Sequence, residues 1–397
     1  MAKVILLLNP VYVTLFWALV LTFENRRQQV PKLFLGRFMF IAFILYLSHY
    51  FYFTGKYDIY YHLDSIYTLA SLLVYPLYHI YVRLLTVDRW FSVRKHGKYL
   101  VPSVLVFVLH LSGFVLMERA EATVYLKGIL SGEVSGTGIT GYMETIYMLY
   151  RIVFVIQVLF FLIANFRLIF RHNKRIGHYY SDIENRQLNW VQFFNISLAV
   201  ISLASIAVAV TGRDTFAESN LLLAIPSLVF SIMLFVIGFL GNIQGDVNPK
   251  TETAEAETGD MTGYDETETD EWGKAGAGDP AIAGNSYETL KKRMELLFEQ
   301  DMIYRNPDLK IWDVSSMLGT NRTYVSKLIN AEYGRNFCNH VNYYRVKYAK
   351  KIMLANNKLS NEEIADLSGF GSVNSLYRAF RLFDKRTLGD YRKDPGN

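Results

Sequence analysis

Ionisable side chains in apolar surroundings are the first place to look for chemistry in this sequence. His79, His110, Arg37 and Arg151 lie within or at the ends of strongly apolar runs, and His62 and Asp64 sit in a stretch rich in tyrosine. At membrane depth such groups serve as proton relays, ligand contacts or ion-pathway residues. Each also has a plainer reading. Arg37 and Arg151 are within about two helical turns of the end of their runs, where a long side chain snorkels to the headgroups. The two histidines read as hydrogen-bonded interior residues rather than as ligands or proton carriers. The aromatic stretches His49–Phe53 and Tyr57–Tyr67 fit an interfacial belt, with a ligand vestibule as the alternative. The chain has no kinase phosphate-binding loop, Gly-rich nucleotide fingerprint or aspartate-centred receiver pattern. The single cysteine, Cys338, excludes an intrachain disulfide and is compatible with a reducing cytoplasm. We therefore expect no catalytic, cofactor or metal site, and no enzyme.

The elements that carry these residues follow from composition. With 51% hydrophobic and only 19% charged residues, the chain is too apolar for an ordinary soluble protein of 397 residues. The average hides three unlike parts. Residues 1–244 are almost continuously apolar and hold 20 Lys/Arg against 12 Asp/Glu, 245–286 hold 2 against 11, and 287–397 hold 19 against 13. The first part contains seven apolar runs of roughly 20 residues, each able to cross about 30 Å of hydrocarbon. They cover Val4–Phe23, Leu33–Tyr52, Ile66–Leu84, Tyr99–Met117, Thr145–Leu168, Trp190–Val210 and Leu221–Leu240. They lack the alternation of barrel strands, so a seven-transmembrane-helix bundle in a lipid bilayer is expected.

The first run has its basic residues after it and no small-x-small cleavage site, so it reads as a retained helix. Loops after the first, third and fifth runs carry thirteen Lys/Arg, against five on the opposite side. Basic loops resist translocation, which places the N-terminus outside and everything after Leu240 in the cytoplasm of an inner-membrane protein. Glu118–Glu144 reads as the longest external loop, too short for an independent sensor domain. Residues 245–286 are mainly Thr, Glu, Asp, Ala and Gly, and read as a disordered acidic linker. Flexible-chain statistics give its roughly 40 residues a reach on the order of 35 Å. Its carboxylates act either as a solvated spacer or as competitors with nucleic-acid phosphate.

After Tyr287 the apolar positions take up helical spacing. Ile311, Val314 and Leu318 form one face of a short helix, Gly319 supplies a left-handed turn, and Asn321 caps a second helix packed through Val325 and Leu328. Small Ser315 suits the close crossing of two helices. An amphipathic connector runs through His340–Ala355, with Arg345, Lys347, Lys350 and Lys351 on its polar side. The pattern then repeats: a helix starts at Asn361, Gly369-Phe370 make the turn, and Ser372 caps a helix to about Leu382 that buries Leu376, Phe380 and Phe383. Two helix-turn-helix units about fifty residues apart in a basic domain suggest two recognition helices entering successive major grooves.

Residues 300–393 resemble the DNA-binding domain of AraC/XylS-type transcription regulators. The resemblance is carried by Ile364-Ala365, Gly369-Phe370, Ser372, Leu376, Arg378, Phe380-Arg381 and Tyr391-Arg392, with Arg345, Ala349 and Met353 in the connector. Ser368 stands where that pattern has an aliphatic residue, Lys385 where it has Gly and Leu388 where it has Pro. The resemblance implies an all-α domain of seven helices reading asymmetric double-stranded DNA near promoters, with RNA polymerase as a partner. Matched position by position, it implies that Arg322, Thr323, Ser326 and Lys327 on the first recognition helix, and Val373, Asn374, Tyr377 and Arg378 on the second, face DNA. Arg378 can then bond guanine O6 and N7, Asn374 can pair with adenine and Val373 can touch a thymine methyl. Lys327 suits phosphate, and Arg345, Lys347, Lys350, Arg381 and Arg392 hold backbone or are solvated surface.

These readings describe a membrane-embedded transcription regulator that couples an envelope or membrane signal to DNA, through an unidentified ligand, a homodimer or proteolytic release. A membrane transporter or enzyme with a regulatory helix-turn-helix domain is the alternative, as is use of the helix-turn-helix fold for protein interaction.

Overall fold

The computed structural model describes residues 2–23, 29–88, 90–131, 136–184, 186–211, 220–244 and 284–394. The chain divides into two compact units. One comprises Met1–Phe170 with Leu188–Thr251, and the other Arg171–Gln187 with Glu252–Asn397. The acidic linker expected over 245–286 lies outside the described residues except at its end, where Gly284–Ser286 already belong to a helix.

The first unit is helical: α1 (Ala2–Phe23), α2 (Val30–Phe53), α3 (Tyr57–Thr86), α4 (Val93–His96), α5 (Val101–Leu116), α6 (Arg119–Ser131), α7 (Ile139–Ile176), α8 (Asn189–Thr211) and α9 (Asn220–Ile243). Helices occupy all seven apolar runs. Among the described residues, five helices (α1, α2, α3, α7 and α9) are long and apolar enough to cross a membrane. A sixth span results if Val93–Tyr99 and Val101–Leu116, bent by 61°, are taken together. Helix α8 covers the remaining run.

The core of this unit is built from α1, α2, α3, α7, α8 and α9, through Leu21, Leu35, Met39, Ile80, Val82, Ile169, Val191 and Ile237 among others. At Gly238 a Cβ would collide with the Trp17 ring, so glycine is what lets α9 lie against α1 there. The outer faces keep large apolar side chains exposed, including Leu105, Val108, Ile152, Ile156, Phe160 and Phe193. Water penalises an apolar exterior of this kind, whereas hydrocarbon accepts it.

Several polar groups inside the unit are partnered. His79 Nδ1 is 2.7 Å from Asn165 Oδ1, and His110 lies 3.0 Å from the Ser65 hydroxyl and 3.4 Å from Asp64. The tyrosine-rich end encloses a cavity of about 20 Å³ lined by Tyr60, Asp64, Tyr67, His110, Tyr125 and Tyr150. That is room for about one water molecule, well short of the few hundred Å³ of a ligand vestibule. Glu118–Glu144 is not a plain loop. Helix α6 fills its first half because Ala122, Tyr125 and Leu126 recur at helical spacing and are buried with Tyr52, Tyr60 and Met143.

The second unit contains seven α-helices among its described residues: α10 (Gly284–Glu299), α11 (Ile311–Leu318), α12 (Arg322–Tyr333), α13 (Phe337–Ala355), α14 (Asn361–Leu367), α15 (Val373–Asp384) and α16 (Leu388–Lys393). It has two small cores. Met294, Phe298, Val314, Leu318, Val325, Leu328 and Phe337 form the first; Ile364, Ala365, Phe370, Leu376, Phe380, Leu388 and Tyr391 form the second. The connector α13 enters both, giving Val341 and Tyr344 to one and Val346, Ala349 and Met353 to the other. One rigid helix thus fixes how far apart the two helix-turn-helix units stand.

Candidate nucleic-acid interface

Each helix-turn-helix unit is set by local rules. In the first, Gly319 adopts φ +67° and ends α11, and the Asn321 side chain accepts the Tyr324 N–H at 3.0 Å to start α12. In the second, Gly369 takes φ +80° and the Ser372 hydroxyl accepts the Ser375 N–H at 3.1 Å to start α15. Gly369 is required twice over, because a Cβ there would also lie 2.5 Å from the Arg305 Cα. The helices α12 and α15 are the second helices of the two units, the position from which a recognition helix enters a groove.

The residues matched to DNA contacts fall on these helices. On α12, Lys327 is exposed and Arg322 and Thr323 are half-buried at its first turn. The guanidinium of Arg322 lies over the Tyr179 ring at 5.7 Å. Ser326 is a correction. It is only 4% exposed, flanked on the inward face by Val325, Leu328 and Ile329, and its carbonyl accepts from the Asn330 side chain at 2.9 Å. In this structure it faces the core rather than the exposed side of α12. On α15, Asn374, Tyr377 and Arg378 are exposed and Val373 is half-buried. The Tyr377 hydroxyl accepts from the Asn361 side chain at 2.8 Å, which ties α14 to the exposed face of α15.

Arg345 is the second correction. Reading it as a backbone contact or as solvated surface fails because it is 1% exposed. Its Nε donates to the Tyr304 carbonyl at 2.7 Å, and Nη2 donates to the Asn306 carbonyl at 2.7 Å and to the Ser181 hydroxyl at 3.1 Å. The guanidinium also lies 5.6 Å from the centre of the Phe370 ring. Burial pulls its pKa down to about 10, which leaves it charged at neutral pH. Arg345 therefore holds the 303–310 segment and the second core to one connector. Arg392, also read as a backbone contact, donates to the Leu359 carbonyl at 2.6 Å and to the Asn361 side chain at 3.0 Å.

Sequence reasoning missed three residues here: Ser181, Asp182 and Glu184. They belong to the segment between α7 and α8 that joins the second unit. Glu184 accepts from the Ser372 hydroxyl, from the Ser375 hydroxyl at 2.7 Å and from the Arg378 guanidinium. Burial alone would raise the Glu184 carboxyl; the two hydroxyl donors and the Arg378 charge outweigh it and hold it below the usual carboxylate range. Asp182 crowds Gly371, where a Cβ would strike its carboxylate. One signal was visible in the sequence: Asp182 and Glu184 are the only acids between Glu144 and Asp214, in a loop otherwise marked by Arg167, Arg171, Lys174, Arg175 and Arg186.

Comparison with known proteins agrees with this geometry. A family model described as a helix-turn-helix domain matches residues 314–394. The chain is 31% identical over 93 residues to the uncharacterized transcriptional regulatory protein YesN of Bacillus subtilis (strain 168), covering 23% of this chain and 25% of that protein. The chain thus spans about a quarter of the length of that relative. No solved structure matches the chain. The C-terminal part is a helix-turn-helix domain of the AraC/XylS type.

Proposed function

We propose that this protein is a membrane-embedded, sequence-specific DNA-binding transcription regulator that couples an envelope or membrane signal to transcription and is not an enzyme. The observation that carries the reading is the tandem arrangement. Two helix-turn-helix units share the single connector α13, and their second helices expose Lys327 on one and Asn374, Tyr377 and Arg378 on the other. Arg322, Thr323 and Val373 lie at the first turns of the same helices. In this reading the apolar helices anchor the chain in the inner membrane with the N-terminus outside. The second unit is then cytoplasmic and meets promoter DNA and RNA polymerase there. Arg378 pairs with a guanine, Asn374 with an adenine, and Lys327 with phosphate. The signal acts on the helical bundle, through a ligand or a change in homodimer contacts.

The test is the salt- and sequence-dependence of duplex binding by the full chain in lipid nanodiscs. Binding should fall steeply with salt. Arg378→Ala should relax specificity at one base pair by about 1 to 3 kcal/mol. Unchanged binding to every sequence removes Arg378 from base reading, and salt-independent binding removes DNA as the partner. The buried Asp64–His110 pair is the one observation that favours a transporter instead. That reading requires proton-linked flux in sealed liposomes, which a regulator does not show.

A further inference from the structure

The segment Tyr179–Glu184 is seated in the second unit by backbone and side chain alike. The Ser181 N–H donates to the Leu309 carbonyl at 3.1 Å and the Ile311 N–H to the Tyr179 carbonyl at 3.0 Å, a short antiparallel bridge at the start of α11. At the start of α13 the Cys338 N–H donates to the Gly177 carbonyl at 3.0 Å and its thiol to the Ser181 carbonyl at 3.3 Å. Arg345 grips the Ser181 hydroxyl from inside. The far end of the segment then delivers Glu184 to the N-terminal turn of α15 and to Arg378.

Those donors have a second use. A hydroxyl pair at a helix N-terminus, together with a guanidinium, is a set that binds a phosphate or a guanine edge as readily as a carboxylate. Seated there, Glu184 fills acceptor positions that DNA would otherwise fill, and with Asp182 it adds two negative charges where phosphates must approach. We propose that this loop is an intramolecular ligand of the second recognition helix and competes with duplex DNA for it. The surface is closed while Glu184 is seated and opens when the loop is drawn away. The proposal rests on the DNA-reading function proposed above.

The chemistry suits a reversible occupant. The Glu184–Arg378 pair is more than half exposed on its arginine side, so its contribution is modest and a duplex offering several phosphates can displace it. The loop is also the direct covalent link between α7 and α8. A change in the spacing of those helix ends reaches α15 through a few residues.

The experiment uses the full chain in lipid nanodiscs, with a duplex of randomised sequence and the tightest-binding duplex that the wild-type chain recovers from it. Glu184→Ala and the near-isosteric Glu184→Gln are each compared with wild type, and circular dichroism checks that helix content is retained. Both variants should bind at least fivefold more tightly than wild type, with the gain shrinking as salt is raised. Equal or weaker binding by a folded variant overturns the proposal, because it makes the loop a neutral element or a brace for α15. Should Glu184→Ala lose helix content, Glu184→Gln decides alone. Asn374→Ala, exposed on the same helix, separates the two layers of inference. If it weakens binding while the Glu184 variants do not strengthen it, DNA reading stands and competition falls. If no variant or wild type distinguishes any duplex, the DNA-reading function fails and takes the competition with it.

Discussion

The two helix-turn-helix units share one backbone plan and fill it with different residues. Leu318-Gly319 ends the first helix of one unit, and Ser368-Gly369 ends that of the other. Asn321 caps α12 and Ser372 caps α15. Helix α12 closes on Gly334 at φ +60°, and α15 closes on Lys385 at φ +65°. At each of these positions the first unit has the residue the local geometry favours. The second has a buried hydroxyl at Ser368, a non-glycine residue in the left-handed region at Lys385, and a capping serine that also serves Glu184. The α7–α8 loop touches both units, at the start of α11 and at the start of α15, but only in the second does it engage the cap of the recognition helix.

The largest test breaks both units at once. Arg345→Ala leaves the Tyr304 and Asn306 carbonyls without their donor and empties the space of a fully buried side chain. We expect a loss of about 3 kcal/mol or more. Hydrogen exchange on the full chain should show it in α13 and in the amides of both cores. A loss confined to one core would deny Arg345 its shared role.

A second test separates the units by pH. His340 is buried against Phe298, Tyr333 and Tyr344 in the first core, and neither ring nitrogen has a hydrogen-bond partner among the described residues. Burial, with help from the Arg335 charge, lowers its pKa from 6.5 to about 3. The folded state resists a proton that the unfolded chain accepts. Stability is therefore complete above pH 6.5, falls by up to about 1.4 kcal/mol per pH unit below it, and levels off near pH 3. Exchange rates measured between pH 6.5 and about 4.5, above the carboxylate range, should show this slope in the first core and not the second. His340→Leu should flatten it.

How much of this was legible in the sequence follows from how local each contact is. The caps at Asn321 and Ser372, the turns at Gly319 and Gly369 and the buried faces of α11, α12 and α15 are fixed within four residues of chain, and spacing alone finds them. The seven apolar runs were legible for the same reason. Ser326 was misplaced because a single turn of α12 decides between facing inward and outward, and a small polar residue does not advertise which. Arg345 was misread because its acceptors are backbone carbonyls about forty positions away, which carry no mark in a sequence. Glu184 was missed because its partners lie some 190 residues downstream. Only its isolation as an acid in a basic loop hinted at a role.

Ser368 offers a smaller, stabilising test. Its side chain is fully buried and its hydroxyl has no partner among the described residues. An unpaired buried hydroxyl costs about 1 to 3 kcal/mol, so Ser368→Ala should stabilise the second unit by about 1 kcal/mol once the lost packing of the oxygen is included. Leu318→Ser at the matching position should destabilise the first unit by more, since it removes an aliphatic side chain and adds an unpaired hydroxyl. A destabilising Ser368→Ala would mean that the Ser368 hydroxyl has a partner in solution.

The finest test exchanges the residues that close the two recognition helices. A left-handed conformation costs a side chain about 1 to 2 kcal/mol relative to glycine, while glycine gives back about 0.4 to 1 kcal/mol through its freer unfolded chain. Lys385→Gly should therefore stabilise the second unit by somewhat under 1 kcal/mol, and Gly334→Lys should destabilise the first by a similar amount. Hydrogen exchange at the C-terminal turns of α15 and α12 reads both. If Lys385→Gly is neutral, the lysine ammonium is recovering the strain by interacting with the carbonyl end of α15, as a cation at a helix C-terminus does. In that case raising the salt concentration restores the advantage of glycine. If the gain appears in full at low salt, the lysine is a strained substitution at that turn, and the second unit carries a stability deficit that the first does not.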